Sequence, residues 1–160
     1  MSGTIHPKLL KLLDDWTLGS LASVNEDGSP NLSPKGTFLA LDEKQLAFAD
    51  IRSPNTMRNI AREPRVAVNI LDVFERGGAM FEGNARYVEK ESDEYKNLFP
   101  RFHAIWGDKL CALFKGLVVI EITSAKPVKS PSYDVGATEM ELRALWLEKF
   151  TTMQKALIDG

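Results

Sequence analysis

Residues 31–41 read NLSPKGTFLAL, a pattern typical of a β-strand that is interrupted in its middle. Pro34 cannot donate to a sheet ladder, and Lys35 and Gly36 stand where apolar residues would continue the strand. Turn signals at residues 26–28 and 42–44 divide residues 19–51 into three short strands, which we expect to be joined as a meander. The interruption therefore lies in the middle strand, and it places a lysine beside a glycine.

The remainder of the chain predicts three more strands and four helices. The strands are expected at residues 65–72, 78–90 and 116–130, and the helices at residues 6–16, 53–64, 92–107 and 138–157. Strands that cluster in this way, without alternating one for one with helices, argue against a doubly wound parallel sheet. The expected fold is mainly β (α+β), a six-stranded antiparallel barrel with surrounding helices.

Composition predicts one ordinary domain that spans residues 1–160. Hydrophobic residues make up 44% of the chain and charged residues 26%, as in globular proteins. A net charge of -2 gives no reason to expect a nucleic-acid partner. The single cysteine, Cys111, excludes an internal disulfide and fits a reducing compartment. With no leader-like segment and no apolar run near the roughly 20 residues of a membrane span, we expect a cytoplasmic protein without a membrane partner.

The spacing around the turn at 42–44 predicts where Lys35 lies. If Leu41 pairs with Gln45, Lys35 falls opposite Ile51, directly before the helix that begins at residues 53–54. Ser53 suits the N-cap of this helix, and the proline after it suits the first helical position. Lys35 is therefore expected beside a helix N-terminus.

The groups gathered at that helix N-terminus suit a phosphate. First-turn amides lack intrahelical partners and the helix dipole favours an anion there. Lys35, Arg52 and the hydroxyls of Ser53 and Thr56 are expected at the same place, and Gly36 lets a ligand approach closely. The simpler alternative is that the lysine protects an edge strand from pairing and that the Ser-Pro helix start has no ligand.

Residues 18–125 resemble the flavin-binding split barrel of the pyridoxamine 5'-phosphate oxidase-like family. The motifs that carry the resemblance are SPKG at 33–36, SPNTMRNIAREPRV at 53–66 and EGNARYV at 82–88. The resemblance implies a split barrel that binds FMN at the interface of a homodimer, with basic and hydroxyl side chains on the phosphate. The flavin-site residues that it implies are Ser33, Lys35, Gly36, Asp50, Ile51, Arg52, Ser53, Asn55 and Thr56.

The chain differs from the oxidases of this family in residues that bear on the choice of substrate. Those enzymes carry an Arg-Lys pair where this chain has Asn55 and Thr56, and the Arg-x-His type of segment is missing from the tail. We therefore expect this chain to share the fold and the flavin of the family. We do not expect pyridoxamine 5'-phosphate to be its natural substrate.

Four further residues are candidates for a functional role. Tyr133 lies in a loop before the last helix and is a candidate cofactor contact, the alternative being that it packs on its own barrel. Trp106 could stack on a flavin, although a core position is commoner. His6 and His103 have no cysteine or carboxylate at metal-ligand spacing, so no metal site is expected.

The predicted function is that of an FMN-binding oxidoreductase with a small-molecule substrate or electron donor and no identifiable catalytic residue. The alternatives are a non-enzymatic flavin carrier or electron-transfer module, and a binder of haem or a deazaflavin with the same fold. We expect a homodimer because the last helix carries a long apolar stripe. The stripe consists of Leu142, Leu145, Trp146, Phe150, Met153 and Leu157.

Overall fold

The structure is a computed structural model that describes residues 3–160, so the first two residues of the predicted domain lie outside the described residues. Its helices are α1 (Pro7–Asp15), α2 (Pro54–Arg62), α3 (Asp93–Cys111) and α4 (Glu139–Asp159), with a short 3-10 helix at Pro131–Val135. Its strands are β1 (Gly19–Val24), β2 (Pro30–Lys35), β3 (Leu39–Ala40), β4 (Gln45–Asp50), β5 (Arg65–Asp72), β6 (Gly77–Glu89) and β7 (Gly116–Lys129).

The strands form one antiparallel sheet in the order β2-β1-β5-β6-β7-β4-β3. The strands at the two ends of this order, β2 and β3, are consecutive in the chain and are joined by residues 36–38. Such a connection spans at most roughly 14 Å from Lys35 to Leu39, so the sheet must curl until its two edges come close. The described residues therefore form an antiparallel barrel that stays open between β2 and β3, and the predicted mainly β (α+β) class is confirmed.

Two details of the predicted sheet are wrong. The sheet of the described chain has seven strands in place of six, because residues 31–41 form two strands that belong to opposite edges. Lys35 lies opposite Gly19 on β1 and does not pair with Ile51, although the predicted register of Leu41 with Gln45 is confirmed by a 2.9 Å backbone hydrogen bond. The chain leaves β2 at residues 36–38. There the hydroxyl oxygen of Thr37, in place of a backbone carbonyl of a neighbouring strand, accepts a hydrogen bond from the amide of Ala49 at 2.9 Å.

The sheet is covered on both faces where β4 and β7 pair. Along β4, Leu46 and Phe48 point into the barrel core, whereas Ala47 and Ala49 point to a second apolar cluster under α3. This alternation explains why β4 reads as a continuous apolar run. Burial of a large side chain such as Phe48 contributes about 1.5–3 kcal/mol to the free energy of unfolding. Both clusters therefore stabilise the strand that leads to α2.

Helix α3 forms despite Pro100, as predicted, and continues beyond the predicted end to Cys111. Ser92 caps its N-terminus by accepting the amide of Tyr95 at 3.1 Å. Its backbone is broken at Gly107, where φ is 65°, a conformation that glycine adopts without steric cost. None of the helices described in residues 3–160 has the length and apolar character needed to cross a membrane.

Helix α4 packs on the domain from its N-terminal end to Phe150. Arg143 donates to Asp72 at 2.8 Å, to Glu75 at 3.0 Å and to Glu139 at 2.8 Å. Burial and the neighbouring carboxylates raise the pKa of Glu75. Leu142 of the predicted apolar stripe is buried, whereas Met153 and Leu157 further along the same face are 48% and 75% exposed.

Candidate functional site

The ammonium group of Lys35 lies in a buried cluster with two serine hydroxyls. Lys35 is only 6% exposed, and its Nζ donates to Ser33 Oγ at 2.5 Å and to Ser53 Oγ at 2.8 Å. An ammonium has three donors, so one remains for a ligand. No carboxylate among residues 3–160 forms an ion pair with this Nζ. Burial lowers the pKa of Lys35, and the negative charge of Asp50 partly offsets this effect.

The interrupted stretch around Lys35 follows from its place at the edge of the sheet. Because β2 is the end strand, Pro34 can face outward without the loss of a ladder hydrogen bond. Side chains two residues apart lie on the same face, which brings Ser33 and Lys35 together. A Cβ on Gly36 would meet no atom within 4 Å, so the surface beside the lysine is open to a ligand.

The N-terminus of α2 is free to bind an anion. Ser53 occupies the predicted N-cap position, but its side chain makes no capping hydrogen bond because it accepts from Lys35. The N–H groups in the first turn of α2 therefore receive no hydrogen bond from the Ser53 side chain, and they remain available to an anion near the lysine. Thr56 is buried in this turn, and Arg52 is exposed and without an ion pair or hydrogen bond within the described part of the chain. Asn55 is exposed and accepts from Arg58.

Asn59 fixes α2 against the sheet, and the sequence reasoning missed it. Its Nδ2 donates to Ser23 Oγ at 3.0 Å and to Asn25 Oδ1 at 2.9 Å. Arg62 adds a 2.6 Å hydrogen bond to the carbonyl of Val24. The available signal was a polar residue three positions after Thr56, on the inward face of the predicted helix. These contacts set the position of the α2 N-terminus relative to Lys35.

Asp50 separates the lysine cluster from a neighbouring cleft of about 560 Å³. Asp50 is 5% exposed, and its Oδ1 has no hydrogen-bond partner among the described residues. The cleft is lined by Met57, Ile60, Ala61 and Ala85, with Asp50, Arg86, Tyr87 and Glu89 as polar members. Tyr87 is a second residue that the sequence reasoning missed. Burial and the charge of Asp50 raise its pKa.

The structure thus brings most of the predicted residues to one place. Ser33, Lys35 and Ser53 are in contact, and the half-buried Ile51 follows Asp50 in the segment that leads to α2. The described contacts of Tyr133 lie elsewhere: its hydroxyl donates to the carbonyl of Glu75 at 2.7 Å. A flavin contact by Tyr133 stays a prediction.

The other candidates have partners of their own. The ring of Trp106 packs on Phe102, with ring centroids 5.5 Å apart. His6 accepts the amide of Lys8 at the start of α1, and His103 pairs with Asp108 at 2.6 Å. These side chains therefore add nothing to the lysine cluster.

A family model described as pyridoxamine 5'-phosphate oxidase matches residues 5–143. No curated protein sequence matches the chain. An FMN-binding protein from Syntrophomonas wolfei is similar in structure, with 14% identity and a TM-score of 0.61 over 77% of this chain and 88% of that one.

Two further solved structures are similar. The haem storage protein HutZ from Vibrio cholerae has 19% identity and a TM-score of 0.63, over 79% of this chain and 95% of that one. An F420 reductase has 19% identity and a TM-score of 0.60, over 76% of this chain and 98% of that one. At such identities these likenesses establish the fold alone.

Proposed function

The chain belongs to the pyridoxamine 5'-phosphate oxidase family, and on that premise we propose that it is an FMN-binding oxidoreductase with a small-molecule substrate or electron donor. The observation that carries this proposal is the buried ammonium of Lys35, held by Ser33 and Ser53 at the free N-terminus of α2. A buried cation without a carboxylate partner is costly unless a ligand supplies the anion. A phosphate ester meets that requirement, and the amides of α2 add further donors.

The residues of the site fit FMN at both of its ends. Lys35, Arg52, Ser53, Asn55 and Thr56 are the residues proposed to hold the phosphate, and Lys35 and Ser53 are in contact. Ser33, Gly36, Asp50 and Ile51 are the residues proposed to line the remainder of the cofactor. Bound FMN would supply the redox chemistry, while these residues bind it, orient it and exclude water. We propose that a second copy of the chain completes the site at a homodimer interface.

A non-enzymatic flavin carrier of the same fold is the main alternative. The cluster holds no evident acid–base residue, and a carrier needs none. Steady-state turnover of the FMN-loaded protein with a nicotinamide donor separates the two functions, because a carrier would show no sustained turnover.

Haem or a deazaflavin is the second alternative, since a haem storage protein and an F420 reductase share the fold. A histidine is one of the common protein ligands of haem iron. His6 and His103, the histidines of the described chain, have the partners given above and do not contact the Lys35 cluster. This arrangement favours FMN over haem.

Titration of the apo-protein with FMN, haem and F420, followed by absorption spectroscopy, tests the proposal. We expect FMN to bind most tightly and the purified protein to show flavin absorption bands. Tight binding of haem or F420, with no binding of FMN, would contradict the proposed function.

We predict that pyridoxamine 5'-phosphate is not the natural substrate. Asn55 and Thr56 stand where the oxidases of the family carry an Arg-Lys pair, and the tail lacks the Arg-x-His type of segment with which those enzymes hold their substrate. Incubation of the FMN-loaded protein with pyridoxamine 5'-phosphate should yield pyridoxal 5'-phosphate far more slowly than the roughly 1 per second of an ordinary enzyme. Product formation at that rate or faster would show the inference to be wrong.

A further inference from the structure

The carboxylate of Asp50 is buried with one oxygen left unpaired. The residue is 5% exposed, and no described residue donates a hydrogen bond to Oδ1. Unpaired buried polar atoms are uncommon because they lose their hydrogen bonds to water and gain none in return. The structure therefore leaves a buried acceptor without a donor among the described residues.

Asp50 stands at the wall of the cleft next to the lysine cluster. The cleft of about 560 Å³ has the size of a typical small-molecule site. Met57, Ile60 and Ala85 give it apolar walls, as a flat aromatic ring system requires. A cofactor with its phosphate at Lys35 can therefore extend past Asp50 into this cleft.

The Asp50 charge acts on groups in both places. It raises the pKa of Tyr87 in the cleft, and it offsets the lowering of the Lys35 pKa in the cluster. Arg86, the cation that lines the cleft, is engaged by both carboxylate oxygens of Glu94 at 2.5 and 2.7 Å. Within the cleft, the charge of Asp50 is therefore not compensated by a direct ion pair.

We propose that Asp50 regulates the reduction potential of the bound flavin, an inference that rests on the proposed function. Reduction by two electrons and one proton adds one negative charge to a flavin ring. A fixed carboxylate nearby opposes that added charge, and it does so strongly where water is excluded. Asp50 thus holds the reduction potential of bound FMN below the value that the apolar cleft alone would give.

The test is the midpoint potential of the FMN-loaded protein with Asp50→Asn. This substitution keeps the side-chain shape and removes the charge, so the equilibrium constant for reduction should rise about tenfold or more, which is about 30 mV for a two-electron couple. A dye-coupled reductive titration measures it. Glu43→Gln is the control, because it removes one negative charge from an exposed side chain in the turn at 42–44, outside the cleft.

Each outcome of the titration is decisive. A higher potential with Asp50→Asn, together with little change for Glu43→Gln, supports the proposal. An unchanged or lower potential, or an equal rise in both variants, overturns it. Asp50→Ser should shift the potential in the same direction, and failure of both Asp50 variants to fold would show that Asp50 is structural. If the wild-type protein binds no FMN, the proposed function is wrong as well. If FMN binds but its potential is the same in Asp50→Asn and in the wild-type protein, only this inference is wrong.

Discussion

Lys35→Ala should weaken FMN binding by roughly ten- to a hundredfold. A hydrogen bond to a charged group contributes about 1.5–3 kcal/mol to the free energy of binding. Each 1.4 kcal/mol of that free energy changes the affinity about tenfold. Lys35 is the buried cation of the cluster, so its contact with a phosphate would be made away from water. Fluorescence titration of the apo-proteins with FMN measures the change.

Riboflavin, which lacks the phosphate, provides the control for Lys35→Ala. It should bind the variant and the wild-type protein about equally. The fold should also survive, because burial already lowers the pKa of Lys35, which means that the charged side chain does not stabilise the empty site. Lys44→Ala removes an exposed lysine from the turn at 42–44 and should leave both affinities unchanged. A loss of riboflavin binding as large as the loss of FMN binding would show that Lys35 is structural.

We predict a homodimer in which a second copy covers the distal half of α4. The face of α4 that carries Leu142, Trp146 and Phe150 packs on its own domain, and Phe150 meets the ring of Phe74 with centroids 5.7 Å apart. The same face continues as Met153 and Leu157, which are 48% and 75% exposed. A helix that extends an apolar face beyond its own domain is expected to find a partner surface.

Leu157→Glu should weaken this dimer by about tenfold or more. Full burial of a leucine contributes about 1.5–3 kcal/mol to the free energy of association. A carboxylate in its place would also have to be desolvated at the interface, which costs free energy. Sedimentation across a micromolar concentration series measures the dissociation constant. Thr152→Glu is the matched control, because it adds the same charge at an exposed position on another face of α4. A wild-type monomer at micromolar concentration that still binds FMN tightly would contradict the dimer.

Local sequence signals determined the elements and part of the site. The Ser-Pro pair at 53–54 marked the start of α2, and the turn at 42–44 set Leu41 opposite Gln45, as the structure shows. Such features depend on neighbours a few residues apart, whose geometry is fixed by backbone sterics and capping. The pattern of prolines and glycine around Lys35 likewise indicates a site.

The tertiary structure decided how those elements meet. Spacing along the chain placed Lys35 opposite Ile51, whereas the barrel pairs it with Gly19 and still brings its ammonium to Ser53 at 2.8 Å. The burial of Asp50 likewise depends on several segments that lie far apart in sequence. The order of strands in a curled sheet follows from how all of their apolar faces can be buried at once, and no local pattern contains that order. The sequence alone therefore predicts a phosphate site at α2, and only the folded barrel shows that its lysine is buried and lies next to an unpaired carboxylate.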